Sequence, residues 1–322
     1  MRKKFIRSLV VAACISACAA PVVNAQEAAN VEPHGFSLGG TFGLSDLWGD
    51  VGTQSVVDHY TNNKYWDKPH FMGGIFFRYS FHPALAARLN FNYGTVFATD
   101  EWNTEKAKLA TSLADDYVQR YARGQTSKAD ILESALTFEF SPFRLGSPIG
   151  KAAQRAGQLY FLAGIGYFHF TPYSMYTNRE SKVSQWVETY NLHLEGDGFP
   201  EAGAPSSYSL WQLEIPLGVG YKFDIGEHLN IGIEYQWRMT QTDYLDGVSD
   251  KYIDPKLFDQ HLSAINAAVA KDLYDRAWVP GVIKTGNPPG NLRGNSSDMD
   301  SYSTISFVLY WKLKNKQGNW WQ

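Results

Sequence analysis

The chain has 322 residues and a formal net charge of −3, with 29 Lys and Arg against 32 Asp and Glu, a balance that disfavours nucleic acid as a partner. Its two cysteines, Cys14 and Cys18, both fall within the first 25 residues, so the chain beyond them has no means of forming disulfides or thiolate metal sites. Mean hydropathy is −0.31 although 15% of residues are aromatic, a combination that suits strands greasy on one face only.

Arg2, Lys3, Lys4 and Arg7 precede an apolar run from Leu9 to Ala20, and Val23-Asn24-Ala25 offers a small-x-small cleavage site. Residues 1–25 therefore read as a secretory signal peptide. The run falls well short of the roughly 20 residues a membrane helix needs. Ile15-Ser16-Ala17-Cys18 offers a second reading, a lipobox that leaves Cys18 as a lipidated N-terminus. Cleavage after Ala25 removes four basic residues and no acidic ones, which moves the net charge from −3 to −7. Residues 26–35 are expected to be a short periplasmic segment.

Eight segments then alternate with period two. Residues 36–44 set Phe36, Leu38, Phe42 and Leu44 against Ser37, Gly39, Thr41 and Gly43. Residues 71–81 and 84–97 are joined by a tight hairpin at His82-Pro83, with Phe71, Ile75, Phe77, Leu89, Phe91 and Tyr93 opposite Arg78, Arg88, Asn90 and Asn92. Residues 132–140 set Leu136, Phe138 and Phe140 against Glu133, Thr137 and Glu139, whereas 159–170 is apolar on both faces and its register stays open. Residues 210–223 and 229–239 place Trp211, Leu213, Ile215, Ile231, Ile233 and Trp237 opposite Glu214, Lys222, Glu234 and Arg238. The eighth, 302–313, carries Ile305, Phe307, Leu309 and Trp311 on one face.

A soluble β-sandwich or lipocalin-like barrel would turn the apolar face inward. Here that face is aromatic and bulky while the other is rich in Gly, Asn, Glu and Arg, so the pattern fits better inverted, with aromatics on lipid and charges in the lumen. Connections alternate long (45–70, 98–131, 171–209, 240–301) with short (82–83, 141–158, 224–228), as in outer-membrane barrels with external loops and periplasmic turns. The expectation is an all-β, eight-stranded antiparallel transmembrane β-barrel, OmpA-like, over residues 36–313. A tail at 314–322 follows, and both termini are periplasmic. Two long loops contain helical patterns: Leu109, Leu113, Tyr117 and Tyr121, ended by Gly124, and Phe258, Leu262, Ile265, Val269 and Leu273 behind Asp254-Pro255. They read as lids over the barrel mouth, and "GNPPGNLRGNSS" reads as a flexible linker.

The lumen-facing Arg78, Arg88, Glu139, Glu214, Lys222, Glu234 and Arg238 form the main charged constellation. Charges at this density inside a small barrel are expected to neutralise one another as a plug, which also disfavours a pore. The nearest approach to a catalytic group is His169 beside Thr171, and no metal, nucleophile-elbow or phosphate-loop motif occurs, so neither an enzyme nor a cofactor is expected. Asp243, Asp246, Asp250 and Asp254 lack EF-hand spacing and read as a solvated rim where the chain meets water.

The stretch Arg238-Met-Thr-Gln-Thr242-Asp243-Tyr244-Leu-Asp246-Gly-Val-Ser249 resembles the "R-x-T-x-T-D-Y-L-D-D-V-S" signature of PorG-like outer-membrane barrels of Bacteroidota. The stretch from Gly43 to Asp50, with Trp48 before Gly49-Asp50, is similar to the exit of that family's first strand, and "LYFLAGIGYFHF" to its central strand. Gly247 replaces the second Asp of the signature, and Gln241 stands where an aromatic is common. The resemblance implies a non-enzymatic scaffold or accessory of the type IX secretion system that contacts a periplasmic ring of PorK and PorN type, with the motif residues in structural roles. A surface adhesin or a generic OmpA-like barrel is the alternative reading, and an enzyme acting on outer-leaflet lipid is the third. Outer-membrane lipid and lipopolysaccharide are the expected surroundings.

Overall fold

A computed structural model of the chain describes residues 35–52, 59, 65–112, 114–145, 157–178, 181–201, 203–225, 228–274 and 287–313. The leader, both cysteines, the C-terminal tail and most of the 141–158 turn lie outside these residues.

Among the described residues nine strands form: β1 (Gly35–Trp48), β2 (Phe71–His82), β3 (Leu85–Thr99), β4 (Thr126–Phe140), β5 (Gly157–Thr177), β6 (Ser184–Glu188), β7 (Trp211–Ile225), β8 (Leu229–Thr240) and β9 (Ser301–Lys312). Eight of them close into a ring, β1-β2-β3-β4-β5-β7-β8-β9 and back to β1, with every pairing antiparallel. The ninth, β6, folds back along the end of β5 from Tyr173 to Thr177 as a hairpin outside the ring. Its five residues carry too little alternation to show in the sequence. The short connections and both chain ends of the barrel lie at one end, which we call the turn end. The long connections lie at the other, the loop end.

The apolar stripes point outward. Tyr93 is 63% and Phe307 70% exposed, and Phe91 and Trp211 are exposed with them, so the aromatic face forms the outer wall. The opposite face is buried in the ring. Register on β5 is fixed by β4: Leu136 pairs with Ile165 and Leu132 with His169, which puts Phe161, Ile165, Tyr167 and His169 outside and Tyr160, Leu162, Phe168 and Phe170 inside. Midway along the β1–β9 closure the inward residues are uncharged: Gly39, Thr41 and Gly43 against Tyr310, Val308 and Ser306.

Several strands run further toward the loop end than their alternation predicts: β1 to Trp48, β4 from Thr126 and β5 to Thr177. Leu47, Trp48, Val96, Phe97 and Ala98 are buried at consecutive positions. Loops cover the outer side of the wall there, so both faces are out of water and the period-two signal disappears.

The loop helices differ from the predicted stripes. In the β3–β4 loop, α1 (Thr104–Leu109) and α2 (Asp116–Arg123) are separate. Leu109 is 83% exposed and the face of α2 turned inward carries Val118 and Arg120. Gly124 ends α2 as expected, in the left-handed conformation at φ 64°. In the β8–β9 loop, α3 (Lys256–His261) and α4 (Ala264–Tyr274) are split at Leu262 and Ser263. The split resets the helical phase, so Phe258 and Leu273 are buried while Ile265 stands 78% exposed. These helices pack with Leu192, Leu194 and Tyr252 into a small core of their own.

Candidate functional site

Two polar assemblies occupy the molecule, one in the lumen and one at the mouth. Alternation on β2, β3, β4, β7 and β8 delivers the lumen charges to a common interior. Nearest the turn end, Glu139 accepts from Arg78 at 2.8 Å and from Lys222 at 3.2 Å. Midway, the Arg88 guanidinium grips both oxygens of Glu234 at 2.8 and 3.0 Å, and the Tyr160 hydroxyl donates to Glu234 at 2.8 Å. Closer to the loop end, Arg238 pairs with Glu133 at 2.6 Å, and the Tyr302 hydroxyl lies within hydrogen-bond distance of Glu133 and Glu214, at 3.0 and 2.5 Å. All seven predicted lumen charges thus meet inside the ring.

The predicted set omits Glu133, although its alternation with Glu139 was legible. With it, Arg78, Arg88, Lys222 and Arg238 face Glu133, Glu139, Glu214 and Glu234 in equal number. Unpaired charges in so dry a space would cost several kcal/mol each, and pairing offsets that cost. Aromatic faces add to the packing: the Arg88 guanidinium lies 4.2 Å from the Phe76 ring centroid and the Lys222 ammonium 4.7 Å from that of Tyr160.

Above the charges an apolar layer of Leu47, Val51, Phe97, Trp102, Ile131, Phe168, Phe170, Leu245 and Val248 closes the barrel. The segment after β8 lies on this layer, and here the expected wet rim is overturned. Asp243, Asp246 and Ser249 are buried, and with them Thr242 and Asp50; Asp250 is half-buried and only Asp254 is exposed. The loops fold over these aspartates, which no local feature of the sequence announces. Gly49 lies where an added methyl would collide with the carboxylates of Asp246 and Asp300.

Backbone amides hold the cluster. Asp246 accepts from Val51 and Val248 at 2.8 Å each, Asp300 from Leu245 at 2.8 Å, and Asp50 from Asn295 at 2.6 Å. Arginines from two loops tie in the rest: Arg123 donates to Asp100 at 2.9 Å and to the Arg293 carbonyl at 2.9 Å, and both Arg120 and Arg123 reach the Asp50 carbonyl. Arg293 donates to Glu195 at 2.7 Å and to the Gly247 carbonyl at 2.8 Å. Arg293 belongs to the stretch read as a flexible linker, which is instead part of this assembly. Beneath it the Tyr65 hydroxyl donates to Asp46 at 2.5 Å, and His59 lies 3.1 Å from the same carboxylate.

Burial dominates the electrostatics of the mouth. It pushes Asp246 up to about 7 and, with the neighbouring Asp246 charge, Asp243 up to about 9. Asp50, Asp300 and Glu195 are raised for the same first reason. Among the described residues no group of three or more His, Cys, Asp or Glu is arranged to hold a metal ion. His169 sits on the outer wall, edge-on to Trp211 at 4.9 Å, and not in the lumen.

A family described as "Outer membrane protein beta-barrel domain" matches residues 15–256. No curated protein matches the chain. Among solved structures the chain is similar to Ail, the attachment invasion locus protein of Yersinia pestis, at 10% identity and a TM-score of 0.34, over 88% of this chain and 100% of that one. It is similar also to Neisserial surface protein A (8%, 0.35, 88% and 100%) and to OprG from Pseudomonas aeruginosa (10%, 0.33, 88% and 97%). The family match spans most of the chain and describes the barrel found here, so the protein belongs to the outer membrane beta-barrel domain family.

Proposed function

We propose that the protein is a closed, non-catalytic barrel that serves as a scaffold in the outer membrane, its loop end outside the cell and both termini in the periplasm. The observation that carries this reading is the filled lumen, where Arg78, Arg88, Lys222 and Arg238 pair with Glu133, Glu139 and Glu234, and Glu214 bonds to Tyr302, beneath an apolar layer of buried side chains. Long connections at one end and short ones at the other support the orientation. The exposed aromatic wall is suited to outer-membrane lipid, with lipopolysaccharide at the loop end. In planar bilayers the purified protein should give no stable conductance step; a reproducible open channel would reject the sealed-lumen reading.

Within that reading, the likeness of Arg238 to Ser249 to the PorG-like signature supports an accessory role in type IX secretion, with PorK- and PorN-like ring proteins as partners. Deleting the gene should then stop export of proteins that carry the type IX signal, and unchanged export would remove this role. A surface adhesin is the second reading, favoured by the ordered loop assembly with its own small core. Trimming the β5–β7 and β8–β9 loops, which build that core, should in that case lower surface binding while the barrel stays folded.

A further inference from the structure

We propose that the mouth carries a proton-operated latch: protons held by the buried Asp246 and Asp300 carboxyl groups, with Asp50 and Asp243, keep the loops closed, and their loss frees the cap. The geometry sets up a charge conflict. Asp246 and Asp300 face one another across the space that a single methyl on Gly49 would fill. Both are 1% exposed, and Asp50 and Asp243 are 7% and 5% exposed. One Asp300 oxygen is buried without a hydrogen-bond partner among the described residues, and the buried Asp243 carboxyl lies beside the Ser249 hydroxyl.

The neighbouring cations make their ion pairs elsewhere, although the Arg123 charge still favours ionised Asp246 and Asp50, and the Arg120 charge ionised Asp50, against the larger effect of burial. From the β3–β4 loop, Arg120 pairs with Asp116 and Arg123 with Asp100; from the β8–β9 loop, Arg293 pairs with Glu195 of the β5–β7 loop. Below, Asp46 is bonded to Tyr65 and His59. None of Asp50, Asp243, Asp246 and Asp300 forms an ion pair among the described residues. Four carboxylates so close and so dry cannot all be charged without strong mutual repulsion, and a proton on one or more relieves it.

The same groups are the fastenings of the cap. Asp246 accepts from Val51 of the β1–β2 loop, Asp300 from Leu245, and Asp50 from Asn295. The folded-state pKa values are raised above the ordinary 3.8, so the closed cap binds more protons than the open one. Closure is therefore most stable below about pH 4. It weakens as pH rises toward about 7 for Asp246 and about 9 for Asp243. Each proton released on opening makes opening about tenfold easier per pH unit in that window.

The test is hydrogen exchange of the full-length protein in detergent micelles, corrected for intrinsic rates, with and without 1 mM calcium. From pH 5 to pH 7 the opening constant at the Val51 and Leu245 amides should rise at least tenfold, while amides of Leu89 and Ala135 in the wall stay constant and report an intact barrel. Asp300→Asn and, independently, Asp243→Asn keep the shape and remove a charge, so each should flatten the response. An opening constant that does not change with pH overturns the proposal, as does an undiminished response in both variants. Calcium that restores protection at pH 8 also overturns it, by showing that a cation and not a proton neutralises the carboxylates.

Discussion

Arg88 shows how a single side chain can be both costly and necessary. It is 1% exposed and held by both oxygens of Glu234. Removing either partner leaves the other charge stranded, at about 3–5 kcal/mol, whereas removing both with apolar residues of similar size is far less damaging. Arg88→Leu should thus lower the urea-unfolding free energy of the folded barrel by that amount, and Arg88→Leu with Glu234→Leu should recover most of it. The lumen charges were legible because each lies opposite an aromatic in an alternating strand. Asp100, Asp300, Glu195 and Arg293 were not, because their burial is created by loops distant in sequence, and no local pattern in the chain encodes what folds over a given aspartate.

At the scale of the element, alternation is reliable where one face meets lipid and the other the lumen. Residues 71–81 and 84–97 became β2 and β3 almost unchanged, and the eightfold ring follows from the same stripes. The signal ends where the loops wrap the wall, as at Leu47 and Trp48, and strand ends there lay beyond sequence reasoning. Helix α2 kept its predicted end at Gly124 but not its predicted face, since Val118 and Arg120 took the inward positions. The outer wall gives a direct check. Leu136→Arg, in the exposed belt of β4, should cost about 2–4 kcal/mol if the site lies near the bilayer midplane. Leu109→Arg, 83% exposed on α1, should be neutral within about 0.5 kcal/mol. Urea titration of the protein folded into lipid vesicles measures both.

For the whole molecule, barrel and cap are distinct in how they are held. The barrel rests on strand pairing around a closed ring. The cap rests on side chains that bridge loops, and Arg123 is the clearest: it joins Asp100, the Asp50 carbonyl and the Arg293 carbonyl, and so three connections at once. Arg123→Gln should therefore increase protease nicking in the β1–β2, β3–β4 and β8–β9 loops together, with strand content by circular dichroism unchanged. Nicking confined to the β3–β4 loop would show that the loops open independently.

At the β1–β9 closure no ion pair among the described residues joins the two strands, and midway along it the inward side carries Gly39, Thr41 and Gly43 against Tyr310, Val308 and Ser306. A nascent wall can assemble its salt links within β2 to β8 while still an open ribbon. The two terminal strands then zip together by backbone hydrogen bonds and the bond from the Trp48 indole to the Ser303 hydroxyl, which makes their meeting the natural final step of insertion and the place where a helper protein could hold the ring ajar without separating an ion pair.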